Sequence, residues 1–323
     1  MKVLISAYAC EPGGGSEPEL GWNWALHTAY MHETWVLTRS SNRQAIEAAL
    51  GHSPRINFIY VDLPKWFRWW KKLPLGIYFY YYLWQLLSCV TAKRLNQKTQ
   101  FDLIHHATFG TYWLPTFVAL LPTPFVWGPV GGGETAPSAF FKSFSFRGKL
   151  YERTRKLAQR IAERDPLVRL TVHRAAIALA TTSETANRLV ELGCRNVHVF
   201  SQVGIRSDEI QSPASSTCKK SPTFRICSGG RLLHWKGFHL ALRAVAQLQK
   251  QVPEIDYRIF GTGPERGRLE QLASELNISN RVTFVGHASR AELLKELADC
   301  DVLLHPSLHE SGGLVCTEAM SVA

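Results

Sequence analysis

Residues 224–238 read FRICSGGRLLHWKGF. A run of strand-forming residues ends on Gly229 and Gly230, a loop carries Arg231 and Lys236, and a helical pattern starts at about residue 238 and runs to 250. A strand, a glycine-rich loop and a helix in that order form the unit of a parallel α/β layer. Three more strands follow: YRIF running into GTGPE (257–265), RVTFVG (281–286) and DVLLHPS (301–307). Helices are expected near 264–276 and 290–299, with a last one beginning near Leu314.

The same alternation fills the first half. Strands are read at KVLISAYA (2–9), TWVLTR (34–39), INFIYV (56–61), DLIHH (102–106), PFVWG (124–128), IALATT (177–182) and VHVFSQ (197–202). Between the halves, SDEIQSPASSTCKKSPTF (207–224) is rich in Ser, Pro and Lys without periodicity and reads as a linker. The expectation is an α/β protein of two Rossmann-like domains, residues 1–206 and 223–323, joined by a linker at 207–222. The sequence stops inside the helix that begins near Leu314, so the second sheet is expected to lack at least one strand and its covering helix; a naturally small four-stranded domain is the alternative.

A chain of 323 residues, 46% hydrophobic, has room for two ordinary cores. Its seven cysteines are scattered, odd in number and never spaced Cys-x-x-Cys, which suggests neither a disulfide framework nor a zinc site and reads as buried thiols in the cytoplasm. The N-terminus alternates β-branched and small residues and resembles a first strand, so no export signal is expected. Residues 223–323 hold 11 Lys+Arg and 11 Asp+Glu, which leaves 26 and 15 of the totals of 37 and 26 in residues 1–222. The net charge of +11 therefore lies entirely in the first part.

Three loops should leave the carboxyl ends of parallel strands on one edge of the second sheet, where open α/β sheets place ligands. They carry Arg231 and Lys236, then GTGPE, then HESGGLVCTE (309–318). Two cations and a helix N-terminus with free N–H groups suit a diphosphate. Gly312 and Gly313 let the backbone approach that anion closely. Glu318, about one turn into the helix, suits the neutral vicinal diol of a ribose, because a carboxylate accepts from two hydroxyls. Glu310, on the loop before that helix, suits a sugar.

SGGRLLHWKGF, then GTGPE, then Glu310-x(7)-Glu318 resembles the C-terminal half of glycosyltransferase family 4, retaining enzymes of GT-B architecture. The resemblance covers residues 229–318 in order. It implies that Arg231 and Lys236 neutralise a leaving diphosphate and that Glu310 contacts the donor sugar. Gly312, Gly313 and Leu314 then offer backbone to sugar or phosphate, and Glu318 holds the ribose. Where members commonly carry a Phe-Gly pair, this chain has Ser311-Gly312-Gly313, which leaves the donor open.

The resemblance extends to a glycine-rich loop after the first strand, which makes Gly13, Gly14 and Gly15 candidates for donor phosphates and acceptor. Read from Gly13, the third glycine of a dinucleotide fingerprint falls on Pro18, which argues against NAD. In the family a histidine at the end of the fourth strand contacts the donor sugar or helps catalysis, which makes His106, and after it His105, catalytic candidates. Here His105 and His106 stand side by side and must face opposite sides of the sheet, His106 being the nearer to the strand end. WGPVGGGE (127–134) is a further glycine loop at a strand end, with Glu134 a weaker candidate.

KWFRWWKKLPLGIYFYYYLWQLLSCVTAKRL (65–95) has an uncharged stretch, residues 73–92, long enough to span a bilayer, but Pro, Gly, Gln, Ser and many Tyr and Trp interrupt it. A partly buried helix pair whose Trp/Lys/Arg edge rests on an anionic membrane is the preferred reading. A basic run at 142–169 supports such contact, and a plain solvated helical face is its alternative. No nucleic-acid signature is present, and a lipid pyrophosphate on an acceptor accounts for the basic charge without one.

The expected activity is transfer of a sugar, with retention, from a nucleoside diphosphate sugar to a saccharide or lipid-linked acceptor, in cell-surface polysaccharide or glycolipid synthesis. It calls for no metal and no further cofactor, because Arg231, Lys236 and the helix start offset the charge on the departing diphosphate. The rivals are a GT-B sugar-nucleotide epimerase and a non-catalytic fragment that at most binds nucleotide sugar.

Overall fold

The computed structural model describes residues 1–50, 55–64, 67, 76–204, 223–252 and 254–322. The linker expected at 207–222 and most of 65–75 lie outside the described residues. The chain divides into two compact units, Met1–Glu134 with Arg155–Gln202, and Thr135–Thr154 with Val203–Ala323.

The N-terminal unit is built on seven parallel strands: β1 Lys2–Ser6, β2 Glu33–Thr38, β3 Ile56–Tyr60, β4 Leu103–His106, β5 Phe125–Val130, β6 Ile177–Ala180 and β7 Val197–Val199. Their order is β3-β2-β1-β4-β5-β6-β7, so the winding reverses between β1 and β4, with Ser6 opposite His106. Parallel strands joined by helices are covered on both faces, which is why Val3, Leu4 and Ile5 of β1 are apolar in succession rather than alternating. Successive side chains then feed two cores. Val3 and Ile5 pack with Trp22, Ala25 and Ala29 of α1 (Ser16–Met31), while Leu4 packs on the other face with Tyr80, Tyr81 and Trp84.

Those three aromatics lie on α3 (Gly76–Thr99), which follows α2 (Arg43–Ala49). α3 is half-buried, with Phe79, Leu86 and Val90 exposed on its outer side. Among the described residues no helix is long and apolar enough to cross a membrane. The unit is completed by α5 (Pro166–Arg174), capped by the Asp165 carboxylate on Leu167 N at 2.8 Å, and α6 (Ser183–Glu191), capped by Thr182 on Thr185 N at 3.2 Å.

The C-terminal unit has four parallel strands, β8 Phe224–Gly229, β9 Ile255–Phe260, β10 Val282–Gly286 and β11 Val302–Leu303, in the order β10-β9-β8-β11. Ile226, Tyr257 and Ile259 pack against α7 (Phe238–Leu248) and α8 (Arg266–Glu275). On the opposite face Cys227 and Phe260 meet α9 (Arg290–Ala298) and α10 (Leu314–Met320). β11 is shorter than the sequence pattern implies: Leu304 N still donates to Cys227 O at 2.8 Å, and Pro306, with no N–H, ends the ladder two residues later.

Residues 135–154, which sequence order alone assigns to the first domain, pack in the C-terminal unit. Ser143 Oγ meets His239 Nε2 at 2.9 Å and Ser145 donates to Glu265 Oε1 at 2.8 Å. This segment includes the first turns of α4 (Phe146–Ala162). A Cβ on Gly148 would stand 2.8 Å from His234 Cγ, so the helix approaches the loop after β8 as closely as only glycine permits.

Candidate functional site

In the C-terminal unit the winding reverses between β8 and β11, and the loops that leave their carboxyl ends lie side by side at that point. Gly237 brings them together. Its φ is +69°, and an added Cβ would meet Pro306 O at 2.0 Å. Leu308 N donates to Trp235 O at 2.8 Å across the same seam. One residue before Gly237 and four after Pro306, Lys236 Nζ donates to Glu310 Oε2 in a short, partly buried ion pair. His305 Nε2 stands 3.3 Å from that oxygen, and Ser307 Oγ donates to it at 3.3 Å. Burial works to raise the Glu310 pKa, but His305 and Lys236 outweigh it and hold the carboxyl down at about 2.

Arg231 is exposed and has no ion-pair partner among the described residues. Gly313 caps α10 with φ +66°, and its added Cβ would lie 3.4 Å from Glu310 Cγ, so the turn through Gly312 and Gly313 folds over the carboxylate. Among the described residues the backbone N–H groups of Gly312, Gly313 and Leu314 have no protein acceptor. The C-terminal unit thus gathers Lys236, Glu310 and three N–H donors at the mouth of two strands, with Arg231 exposed on the same loop as Lys236, an arrangement that offers positive potential to an anion.

Glu318 sits in α10 with its side chain buried, and Arg290 Nε of α9 donates to Oε1 at 3.1 Å. One carboxylate oxygen is therefore occupied, and Oε2 remains. The remaining glycines of this edge pack loop on loop: a Cβ at Gly261 would meet Gly230 O at 2.0 Å, one at Gly263 would meet Leu232 O at 2.4 Å, and one at Gly229 would meet Val315 Cγ2 at 2.9 Å.

In the N-terminal unit His105 and His106 do face opposite sides of the sheet, and both are buried, at 5% and 1% exposure. His105 Nε2 donates to Gly128 O at 2.6 Å, and Trp24 packs edge-on at 4.7 Å. His106 lies in an interior network: Tyr81 OH is 3.2 Å from Nε2, Ser6 Oγ and Thr116 Oγ1 are each 3.3 Å from Nδ1, and Gln85 ties Tyr81 to Thr116. Burial lowers the His105 pKa to about 4 against the Gly128 hydrogen bond, and burial together with the His105 charge lowers that of His106 to about 3. Both imidazoles are neutral at pH 7.

The glycine loop after β1 is exposed, with Gly13 at φ +67° and Gly15 at φ +88°, and open space surrounds a Cβ at either. Two of its donors are already used, Gly13 N by Glu19 Oε2 at 2.5 Å and Gly14 N by Glu11 O at 3.3 Å. Gly15 N is left. The loop at 131–134 is more fully occupied: Gly132 N donates to Glu134 Oε2 at 2.9 Å, and the hydroxyls of Thr182 and Thr185 each donate to Oε1 at 3.0 Å. Glu134 is buried there as an anchor of its own loop.

Several residues at these sites carry no signal in the motifs. Glu17 of α1 accepts from Phe109 N at 2.6 Å and Gly110 N at 3.3 Å, tying the start of α1 to the loop after β4. His234, Trp235 and His309 flank the charged pair and are joined by Tyr151 and Glu152 of α4. His234 and His309 were visible inside the two loop motifs, whereas nothing in the sequence around Glu152 points to a partner 82 positions away. Among the described residues no group of three or more His, Cys, Asp or Glu side chains is placed to hold a metal ion.

Residues 214–323 match the sequence family described as Glycosyl transferases group 1. The chain is similar to 2-deoxystreptamine glucosyltransferase of Streptomyces kanamyceticus, 35% identical over 91 residues, 28% of this chain and 24% of that protein. It is 39% identical over 99 residues to D-inositol 3-phosphate glycosyltransferase of Corynebacterium urealyticum, 28% and 23% of the two chains. It is 31% identical over 149 residues to the lipopolysaccharide core biosynthesis glycosyltransferase LpsE of Rhizobium meliloti, 44% and 40%. The chain thus spans less than half the length of these relatives.

Among solved structures, Anabaena Alr3699/HepE in complex with UDP superposes with a TM-score of 0.61 at 19% identity, over 100% of this chain and 79% of that one. WaaG, a glycosyltransferase involved in lipopolysaccharide biosynthesis, gives 0.58 at 16% identity, over 99% and 79%. At these identities the likeness is one of fold: α/β with Rossmann-like units, the GT-B plan.

Proposed function

We propose that this chain, whose residues 214–323 belong to the glycosyl transferases group 1 family, is a glycosyltransferase that moves a sugar from a nucleoside diphosphate sugar to a hydroxyl of a saccharide or lipid-linked acceptor. The observation that carries the reading is the Lys236–Glu310 ion pair beside the N–H groups of Gly312, Gly313 and Leu314 at the reversal point of one sheet, with Arg231 on the same loop as Lys236. A pyrophosphate brings charge that Arg231 and Lys236 neutralise, and its departure from the sugar increases that charge, so the same cations stabilise the transition state more than the ground state. Glu310 is assigned the donor sugar's hydroxyls. Glu318 Oε2 is assigned the ribose, with Arg290 holding the carboxylate in place.

The bond from the anomeric carbon to the phosphate oxygen breaks, and a bond to the acceptor oxygen forms on the same face. The acceptor's proton passes to the departing phosphate oxygen, which gives retention without a protein nucleophile. His105 and His106, enclosed and neutral, are given no proton-transfer step. The names of the relatives favour cell-surface polysaccharide or lipopolysaccharide synthesis as the setting. α3 supports peripheral contact with an anionic membrane: exposed Phe79, Leu86 and Val90 lie on one stripe that leads to exposed Lys93, Arg94 and Lys98.

The test is nucleotide release from a panel of nucleoside diphosphate sugars, with and without saccharide acceptors and membrane lipid extract. Acceptor-dependent release with an α-linked product from an α-linked donor is the expected result. Epimer formation without acceptor, or no release from any donor, overturns the reading.

A further inference from the structure

Glu152 of α4 lies outside every motif, yet its carboxylate is fully buried and reaches both loops that carry the charged pair. His234 Nε2 donates to Glu152 Oε1 at 3.0 Å, and His309 Nε2 stands 3.7 Å from the same oxygen. His234 precedes Lys236 by two residues, and His309 is the residue immediately before Glu310. Alongside, three rings form a ladder that draws on the same three segments. Tyr151 stacks on Trp235 with centroids 5.3 Å apart at 18°, and Trp235 stacks on His309 at 5.5 Å and 14°.

We infer that Glu152 is a positioning residue for the anion site: through His234 and His309 it clasps the loop after β8 to the loop after β11, and so sets the spacing of Lys236 and Glu310. The ligand in this inference rests on the proposed function, while the clasp rests on geometry within the C-terminal unit alone. A carboxylate buried this deeply is unfavourable unless its partners compensate, and an apolar side chain would fill the same space without that cost. His234, which donates to it, and His309, which stands beside it, lie two residues and one residue from the charged pair, on two loops that share no strand. Gly148 makes the approach feasible, since any larger residue would push α4 off His234.

Wild type, Glu152→Gln, Glu152→Ala and the core control Leu269→Ala are compared by calorimetric titration with UDP, GDP and ADP, and by imidazole 1H–15N spectra without nucleotide. Both Glu152 variants are expected to move the ring signals of His234 and His309. Glu152→Ala should weaken the best nucleotide about tenfold or more, because it leaves the buried His234 Nε2 without its acceptor and removes the carboxylate beside His309. Glu152→Gln keeps an acceptor oxygen for His234 and should lose less. Leu269→Ala is destabilised through the helix-packing core, away from the loops, and should keep wild-type affinity. Wild-type affinity in Glu152→Ala, or an equal loss in Leu269→Ala, overturns the clasp. Failure of the wild type to bind any nucleotide overturns the donor site instead, and the spectra then decide alone: unmoved His309 signals in Glu152→Gln overturn the clasp, and moved ones support it.

Discussion

Lys236 and Glu310, 74 positions apart in the sequence, close an ion pair where the winding of the C-terminal sheet reverses. The pair holds a cation ready for an anion and sets a carboxylate beside it, so the two members should fail in different ways. Lys236→Ala is expected to weaken nucleoside diphosphate binding by about 10- to 100-fold. It should also cost about 1–3 kcal/mol of stability, because the pair is largely buried and Glu310 loses one of the cations that keep its carboxyl charged. Glu310→Gln removes negative charge next to the arriving diphosphate. It should bind nucleotide no worse, while turnover of the donor sugar drops by roughly 100-fold. Calorimetric titration and steady-state kinetics separate the two, and equal nucleotide affinity in Lys236→Ala sinks the anion role.

The depressed Glu310 pKa also places its contribution to stability on the pH axis. Its carboxyl titrates at about 2 in the folded chain against an ordinary 4.5, despite burial, because His305 and Lys236 favour the charged form. The stabilisation is therefore fully present above about pH 4.5 and is lost as pH falls toward 2. Urea midpoints of wild type and Glu310→Gln should differ by a constant amount from pH 7 to 5 and converge below that. A gap that grows on acidification contradicts the assignment.

His105 and His106 act in a higher window and with the same direction on acidification. Burial keeps them neutral, with pKa values of about 4 and 3 against an ordinary 6.5, so below pH 6.5 the unfolded chain takes up protons that the folded chain refuses. Each buried histidine should steepen the loss of stability by roughly 1.4 kcal/mol per pH unit as pH drops from 6.5 toward its folded value. His239 in the C-terminal unit, lowered to about 4 mainly by burial and then by Arg268 and Arg243, adds a similar slope there. Replacing His106 with Gln should remove one proton's worth of slope between pH 6 and 4.5, measured by urea unfolding. An unchanged slope means that His106 is protonated in the folded state.

The strands were readable because parallel sheets covered on both faces need long apolar runs, and those runs ended on glycines or polar loops. Lys236 and Glu310 were readable as neighbours because both loops follow strands of one sheet. The glycines were harder, since a motif does not distinguish close approach to a ligand from close approach to backbone; Gly261 and Gly263 face Gly230 O and Leu232 O. His105 and His106 alternate across the sheet as period two demands, but their enclosure depends on Trp24, Tyr81 and Thr116, which arrive from other elements. Residues 135–154 were misplaced for a similar reason. Sequence order puts them before β6, and only the tertiary partners His234, His239 and Glu265 draw them to the other unit.

Glu318 and Arg290 form an unequal pair. The carboxylate side chain is 7% exposed and the arginine 48%. Arg290→Ala removes the cation beside a buried carboxylate and should cost about 1–3 kcal/mol, whereas Glu318→Gln keeps an oxygen that accepts from the half-exposed Arg290 and should cost less. Function should reverse the ranking. If Glu318 holds the ribose, wild type should prefer a ribonucleoside diphosphate over its 2′,3′-dideoxy analogue by about tenfold or more, and Glu318→Ala should erase the preference. Retention of that preference in Glu318→Ala removes the ribose from this residue.

Gly237 joins the geometry of the site to the stability of its unit. It occupies the left-handed region at φ +69°, and an alanine there would drive its methyl carbon to 2.0 Å from Pro306 O. The strain of that backbone conformation alone is worth roughly 1 kcal/mol or more, and the clash forces the loops after β8 and β11 apart, for a total expected cost of about 2–4 kcal/mol. Separation of those loops also breaks the Leu308 N to Trp235 O hydrogen bond and carries Lys236 away from Glu310. Gly237→Ala should therefore lose nucleotide affinity at temperatures where it is still folded, and its urea midpoint should fall. Gly267→Ala, where an added Cβ meets nothing within 4 Å inside α8, should be neutral or stabilising by up to about 1 kcal/mol and keep full affinity. Equal behaviour of the two variants would refute the hinge between backbone strain and anion binding.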